Sequence, residues 1–144
     1  MEKIEKKKLI MIDSRYKARI NQIKEKNKED PESIINYLEN KHILILAIQM
    51  ALKNKLKPRE AKIRDWIIRS EYLREEDHLL LGSLIFSYNK NLKILLPENY
   101  SLYHDLIENL ANAGMEEILD LLEDKDEVET LLLKKINIRK KIKK

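Results

Sequence analysis

The longest apolar run in the chain is ILILAIQMAL, Ile43–Leu52. A helix needs about 20 predominantly apolar residues to cross a bilayer, and this run has only about half that length and contains a glutamine. The run therefore predicts a buried helix and no membrane span. Because Asp30 can cap a helix that starts with Pro31, we expect the helix to extend from there to about Lys55, with a bend near residues 39–41.

The composition of the chain favours helices throughout. Leucine, isoleucine, lysine and glutamate dominate, whereas valine and threonine occur once each, and the 144 residues include only two glycines and three prolines. Valine and threonine are common in strands, and glycine is common in tight hairpin turns. We therefore predict an all-α protein, a single domain over residues 1–144 built as a bundle of about six to eight helices.

The segment from Glu2 to about Lys28 predicts a long first helix. Its apolar residues lie three or four positions apart, which places them on one helical face. They are Leu9, Ile12, Tyr16, Ile20 and Ile23. Lysines occupy most of the other faces, so we expect one face of this helix to be buried and the others to be solvated.

The stretch KNKLKPREAKIRDWIIRSEYLR, Lys53–Arg74, contains the single tryptophan. Pro58 can begin a helix, on which Ile63, Trp66 and Ile67 would share one face while further apolar residues would share the opposite face. We expect a helix that packs on two sides, with its tryptophan in the core. A helix-turn-helix reader of DNA is not favoured, because its recognition helix needs a polar face that can enter the major groove.

Further helices are expected in the second half of the chain. Acidic residues near positions 73–77 predict the start of a helix that extends to about Asn89. Ser101 can cap a helix that Gly114 would end, and a short helix would follow. Residues 131–144 predict a basic amphipathic helix that frays into a tail.

The chain contains no cysteine, which excludes disulfides, thiolate metal sites and a cysteine nucleophile and favours a cytoplasmic location. The amino terminus, MEKIEKKKLIMIDSR, has too short an apolar run for a secretory signal. Abundant lysine and glutamate with little glutamine or threonine suits a thermophile, although an AT-rich genome biases composition in a similar direction.

The net charge of +4 conceals a strong segregation of charge along the chain. Residues 1–28 carry a net +6 and residues 131–144 carry +7, whereas residues 98–130 carry −10. The stretch from residue 53 to residue 74 is also basic, at +5. The chain is therefore a charge dipole, with basic ends and an acidic segment between them.

Clustered cations can neutralise phosphates, and the released counterions make such binding strongly dependent on salt. Our leading hypothesis is a non-enzymatic protein that contacts DNA or RNA without reading its sequence, as in a small subunit of a nucleoprotein complex. The predicted contact residues are Lys6, Lys7, Lys8, Lys53, Lys55, Lys57, Arg59, Lys134, Lys135, Arg139, Lys140 and Lys141. The alternative interpretation of these lysines is a set of solvated helix ends.

A second hypothesis uses both signs of charge. The acidic segment 98–130 would bind a basic face, either on a different protein or on another copy of the chain. The protein would then be an interaction subunit, and a homo-oligomer is one form that it could take.

Two short patterns resemble metal-binding motifs. Glu39 with His42, and Glu75 with His78, both match the E-x-x-H motif with which di-iron helical bundles bind metal. However, Glu39 and His42 share their predicted face with polar residues, and the second pair lies in a dense acidic cluster. Both pairs are therefore weak candidates.

His104 and Asp105 form an adjacent pair like the one that metal-dependent HD phosphohydrolases use on an all-α scaffold. His42 upstream and either Asp120 or Asp124 downstream would complete such a ligand set, but the surrounding sequence is ordinary amphipathic helix. This pair is a weak candidate too.

The sequence contains no G-x-G-x-x-G or Walker-type loop, and Ser83 and Ser87 lie in a helix that we predict to be buried and that has no glycine-rich elbow. We therefore expect no cofactor, no metal and no catalytic residue, and a protein that works by contact.

Overall fold

The structure, a computed structural model, describes residues 9–124. Its elements in chain order are β1 (Leu9–Asp13), α1 (Ser14–Asn27), α2 (Asn40–Lys53), β2 (Arg64–Arg69), α3 (Glu75–Asn89) and α4 (Tyr100–Glu123). Short 3₁₀ turns lie in the connections. The prediction of a mainly helical protein is confirmed, but that of a purely α fold is wrong, since the described residues form four α-helices and a two-stranded sheet. The predicted count of six to eight helices is not supported within residues 9–124, and the helix predicted at residues 131–144 lies outside the described residues.

The core forms around α2, which the apolar run at residues 43–52 builds. Ile43, Leu44, Ala47 and Ile48 are almost fully buried, and α4 packs along this helix. Buried side chains from all four helices and both strands join them in one hydrophobic cluster. The predicted start at Pro31 is wrong, because residues 34–37 form a separate 3₁₀ turn and α2 begins where we expected only a bend.

Gly114 lies inside α4 and does not end a helix as predicted. A Cβ atom at this position would lie 1.9 Å from the carbonyl oxygen of Ala47 in α2, so the glycine allows the two helices to approach closely. The two helices expected on either side of Gly114 are therefore one helix of 24 residues. It begins at Tyr100, with Asn99 and not Ser101 in the capping position.

β1 replaces residues 9–13 of the predicted first helix, whose residues 2–8 lie outside the described residues. Ile10 and Ile12 are buried while Met11 between them is only half-buried, which is the alternation of a strand. Asp13 then begins α1, because its carboxylate Oδ1 accepts a hydrogen bond from the backbone N–H of Arg15 at 3.2 Å. The predicted apolar face is confirmed for α1, where Tyr16, Ile20 and Ile23 are buried.

β2 replaces the predicted helix around the tryptophan, and it pairs with β1 in antiparallel orientation. Ile68 lies opposite Ile10 and Trp66 opposite Met11, so Ile67 is the extra residue of a β-bulge. Ile67 and Ile68 are buried, but Trp66 is 42% exposed, and its predicted place in the core is wrong. Ile67 and Ile68, which we assigned to a helix, are therefore core residues of a strand, in which β-branched side chains are common.

The predicted helix up to Asn89 is confirmed as α3, although its apolar run is buried on only one side. Within residues 9–124, no helix is long and apolar enough to cross a membrane.

Candidate functional site

α3 has one buried face and one exposed face. Leu81 and Ile85 are fully buried in the core, whereas Leu79 is 67% exposed and Phe86 is 37% exposed. The first turn is held in place by Asp77, whose carboxylate lies 3.0 Å from the Lys41 ammonium group on α2. The exposed leucine and phenylalanine therefore sit on a well-anchored helix.

The segment that follows α3 is apolar but mostly exposed. Lys90 ends the helix in the left-handed conformation, and residues 92–95 and 97–99 form two 3₁₀ turns. The Asn99 side chain donates a hydrogen bond to the Lys93 carbonyl at 2.6 Å, which braces the segment. Ile94 is buried, but the three other leucine side chains of these turns are at least 43% exposed.

An open apolar groove of about 560 Å³ lies between α3, this segment and the start of α4. Its lining residues include Leu79, Gly82, Ser83 and Phe86 from α3, then Leu92, Leu95, Leu96 and Pro97, and Tyr100 and Tyr103 from α4. A Cβ atom at Gly82 would lie 3.7 Å from Leu95 and 3.9 Å from the Tyr103 hydroxyl, so Gly82 faces the other two walls of the groove.

Two tyrosines of α4, Tyr100 and Tyr103, line the groove. Their ring centroids are 6.4 Å apart. Burial raises the pKa of both hydroxyls, that of Tyr103 to about 12, so both are uncharged at neutral pH. The two hydroxyls therefore place no charge in the groove.

Exposed apolar side chains are concentrated in the part of the chain that forms this groove, and five of them line it. Among the large hydrophobic residues that the structure describes as exposed, eight of twelve lie between Leu79 and Leu102. Scattered apolar side chains are normal on a protein surface, but a contiguous apolar patch rimmed by charges is typical of an interaction site.

The predicted phosphate-binding residues fall into three groups. Lys53, Lys55 and Lys57 are exposed at the end of α2 and in the connection to β2. Arg59 in the same connection is engaged elsewhere, because its guanidinium donates to the Tyr16 hydroxyl at 2.6 Å and to the Asn112 carbonyl at 3.2 Å. The remaining predicted residues, Lys6, Lys7, Lys8, Lys134, Lys135, Arg139, Lys140 and Lys141, lie outside the described residues.

The two E-x-x-H pairs lie at the starts of two different helices. The backbone N–H of Glu39 donates to His42 Nδ1 at 3.0 Å, so this histidine caps α2. Glu75 is exposed at the start of α3, and His78 lines the groove. Over residues 9–124, no three acidic or histidine side chains are grouped so that they could hold a metal ion.

His104 is buried in α4 and connects this helix to β1. Its Nε2 lies 3.1 Å from the Leu9 carbonyl oxygen and 3.3 Å from Glu108 Oε2. Because both neighbours are acceptors, Nε2 carries a proton. Asp105, the second residue of the predicted pair, instead lines a smaller polar pocket.

Glu108 is the centre of a buried polar brace that sequence reasoning missed. Its carboxylate also accepts from the backbone N–H of Met11 at 2.5 Å and from the Arg64 guanidinium at 2.7 Å. One turn later, Asn112 accepts a hydrogen bond from the backbone N–H of Asp13 at 2.9 Å. These contacts join residues 44 to 99 positions apart, and no local pattern could have indicated them.

Several acids of the segment 98–130 have internal partners. Arg19 on α1 lies 2.9 Å from Asp120 and 3.0 Å from Glu123, and Glu108 belongs to the brace. These carboxylates hold α4 to α1 and to the sheet. Residues 125–130 of the predicted acidic surface lie outside the described residues.

Comparison of this chain with protein-family models, with curated proteins and with solved structures finds no match. The function is therefore inferred from the groove and from the exposed Lys53, Lys55 and Lys57.

Proposed function

We propose that the protein is a non-enzymatic interaction subunit, which binds an apolar segment of a protein partner in the groove between α3 and residues 92–97. The observation that carries this proposal is the groove itself, an apolar channel of about 560 Å³ whose walls are exposed leucine and phenylalanine side chains.

The exposed walls favour a protein segment over a small ligand. A pocket for a small molecule encloses most of its ligand, whereas here Leu79, Leu92 and Leu96 present apolar surface to the solvent beside the groove. Full burial of such a side chain contributes about 1.5–3 kcal/mol, and association costs at least about 4 kcal/mol. Several of these side chains must therefore be covered together, which requires a segment with several apolar anchors.

Site-specific photo-crosslinking tests the proposal. Phe86, in the groove, is replaced with benzoylphenylalanine, and the protein is illuminated in its native cells. We expect an adduct with a defined protein, identified by mass spectrometry, and we expect the additional substitution Leu95→Glu to abolish it because a charge would enter the apolar groove.

Tyr37 is the matched control, since it is an aromatic residue that is 76% exposed on a different part of the fold. The same crosslinker at Tyr37 should give no such adduct. Equal adducts from both positions, or an adduct from Phe86 that persists with Leu95→Glu, would contradict binding in the groove.

Nucleic-acid binding is a second candidate function, and the exposed Lys53, Lys55 and Lys57 favour it. None of these three lysines forms an ion pair with another residue in the range 9–124, so their ammonium groups can contact phosphates. Each phosphate contact with duplex DNA adds about 0.9 to the slope of log affinity against log salt.

Gel retardation over a range of salt concentrations tests this second candidate. Replacing the three lysines with glutamate should weaken binding to DNA or RNA at low salt and reduce the salt slope by about 0.9 for each lost contact. Glutamates at the exposed Lys26, Lys28 and Lys62 provide the control. Absence of any retarded species at low salt would exclude this function. Equal effects of the two sets of substitutions would exclude the three lysines as its binding site.

A further inference from the structure

We propose that the partner in the groove is a second copy of this chain, bound through α3 in an antiparallel pairing with two-fold symmetry. This inference rests on the proposed function and names its partner. The evidence is the arrangement of charged, apolar and small residues on the exposed face of α3.

Six positions share this face, because successive residues of an α-helix are rotated by about 100°. They are Glu75, Leu79, Gly82, Ser83, Phe86 and Lys90, the last of which ends the helix. All are exposed except Gly82, which is half-buried beside the groove. The opposite face, with Leu81 and Ile85, is buried in the core of the same chain.

The order of residues on this face is symmetric about the point between Gly82 and Ser83, which is near the middle of α3. Leu79 and Phe86 lie at equal distances on either side of that point. Glu75 and Lys90 also lie at equal distances from it, farther out. A two-fold axis through this point would therefore place each leucine against a phenylalanine of the other copy and each Glu75 against a Lys90.

Charge selects the antiparallel orientation. The first turn of α3 is acidic, with Glu75 and Glu76 exposed, while Lys90 and Lys93 are exposed beyond its end. An antiparallel copy brings opposite charges together at both ends, whereas a parallel copy would bring like charges together. Exposed ion pairs add little affinity, but they determine which orientation is allowed. The antiparallel arrangement also opposes the two helix dipoles favourably.

The small residues at the centre permit the contact. Ser83 stands where the two helices would cross, and its small side chain lets the helices approach within the usual distance of about 8–10 Å. Gly82 faces Leu95 and Tyr103 of its own chain, so it leaves the groove beside the crossing open. Leu79 and Phe86 of each copy can then enter the groove of the other, against Leu95 and its neighbours. A two-fold interface uses the same surface on both copies, so one dimer would fill both grooves.

Sedimentation equilibrium tests the pairing directly. We expect the mass to rise with concentration from 17.2 kDa towards twice that value. Leu79→Glu should weaken the dimer at least about 100-fold, because it places a charge at two symmetric positions of an apolar contact. Ile63→Glu is the control and should leave the dimer unchanged, since Ile63 is 69% exposed in the connection before β2.

A charge exchange tests the orientation. Glu75→Lys should weaken the dimer at low salt, because a lysine would then face Lys90 of the other copy. The double variant Glu75→Lys with Lys90→Glu should restore the dimer, since it exchanges the charges and preserves their complementarity. A double variant as weak as the single one would contradict the antiparallel arrangement.

Single cysteines test the position of the axis, which is possible because the chain contains no cysteine. Ser83→Cys places the two thiols beside the axis, so oxidation should link the two copies. Ser87→Cys is on the same helix and also exposed, but its two thiols would be separated by roughly 13 Å along the helices at 1.5 Å per residue, too far for a disulfide. Equal crosslinking of both variants would overturn the proposed axis.

The outcomes separate this inference from the proposed function. A strictly monomeric protein whose Phe86 position crosslinks to a different protein would support the groove as a binding site and overturn the dimer. A dimer that Leu79→Glu leaves intact would overturn this interface. A monomer that gives no specific crosslink would contradict both proposals.

Discussion

At Gly114 the backbones of α2 and α4 lie so close together that no side chain fits between them. A Cβ atom there would lie 1.9 Å from the Ala47 carbonyl oxygen and 2.9 Å from the Ala51 nitrogen. Gly114→Ala must therefore separate the two helices. We expect it to reduce the free energy of unfolding by at least about 3 kcal/mol, despite the better helix propensity of alanine, and urea denaturation measures this loss.

Gly82→Ala is the control for this prediction. The added Cβ atom would meet its nearest neighbour at 3.7 Å, an ordinary van der Waals distance. Because alanine favours the helix by about 1 kcal/mol over glycine, this variant should be as stable as the original protein or more so. A destabilisation similar to that of Gly114→Ala would contradict the steric explanation.

Loss of the Glu108 carboxylate should also destabilise the fold. Glu108→Ala removes the acceptor for the Met11 N–H and leaves His104 and Arg64 without their carboxylate partner. Loss of partners for buried polar groups should lower the free energy of unfolding by about 2–4 kcal/mol. Chemical denaturation measures the change, which should be accompanied by loss of the β1–α4 contact.

Glu116 is the matched control, because it lies in the same helix and is exposed. Glu116→Ala should change the stability by no more than about 0.5 kcal/mol. If both substitutions had the same small effect, the brace would contribute nothing to the fold.

At the scale of an element, the start of α3 depends on the charge of Asp77. A hydrogen bond from the Arg74 backbone N–H at 2.9 Å and the nearby Lys41 ammonium hold the pKa of Asp77 below its usual value. A lowered pKa means that folding favours the ionised form. The resulting stability is present above the ordinary aspartate pKa, near 3.9, and is lost as the pH falls through the lowered value.

Comparison of Asp77→Asn with the original protein tests this pH dependence. We expect the variant to be less stable by about 1 kcal/mol at pH 7 and the difference to disappear as the pH falls below about 4. Urea denaturation at several pH values measures it. A difference that stays constant from pH 7 to pH 3 would show that the charge of Asp77 has no part in it.

Elements differed in how well local sequence predicted them. α3 could be predicted because acids precede its apolar run and charge at the first turn is a local signal. β1 and β2 could not, because Leu9 and Ile12 have the spacing of a helical face, as do Ile63 and Ile67. The same segments also suit strands, and only pairing between them decides between these structures. Composition misled as well, since the two strands use isoleucine, which is common in this chain's helices.

At the scale of the whole molecule, one hydrophobic cluster joins the sheet to all four helices. We therefore expect residues 9–124 to unfold in a single transition. Fluorescence of Trp66 reports on β2, and far-ultraviolet circular dichroism reports on the helices. The two signals should give coincident urea transitions, and a tryptophan transition at clearly lower urea would show that the sheet is not part of the same cooperative unit.

The groove also belongs to the scale of the whole molecule. Hydrophobicity of residues 79–97 was visible in the sequence, and we took the first part of it for a buried helix. Burial depends on which elements cover a segment, and here α2 and α4 cover one face of α3 and leave Leu79 and Phe86 exposed. Arg59 shows the opposite outcome. We predicted that it contacts phosphate, but in the folded chain its guanidinium group donates a hydrogen bond to the Tyr16 hydroxyl.

The sequence by itself determined the mainly helical class, the buried helix at residues 43–52 and the helix at residues 75–89, because helix propensity, hydrophobic periodicity and the charge of a first turn act over a few residues. Tertiary structure alone decided that β1 and β2 are strands, that Gly114 lies at the contact between α2 and α4, and that one apolar face of α3 stays exposed. These features depend on contacts between residues up to about 100 positions apart, as between Asp13 and Asn112. Such contacts arise from the packing of the folded chain, and no local pattern encodes them.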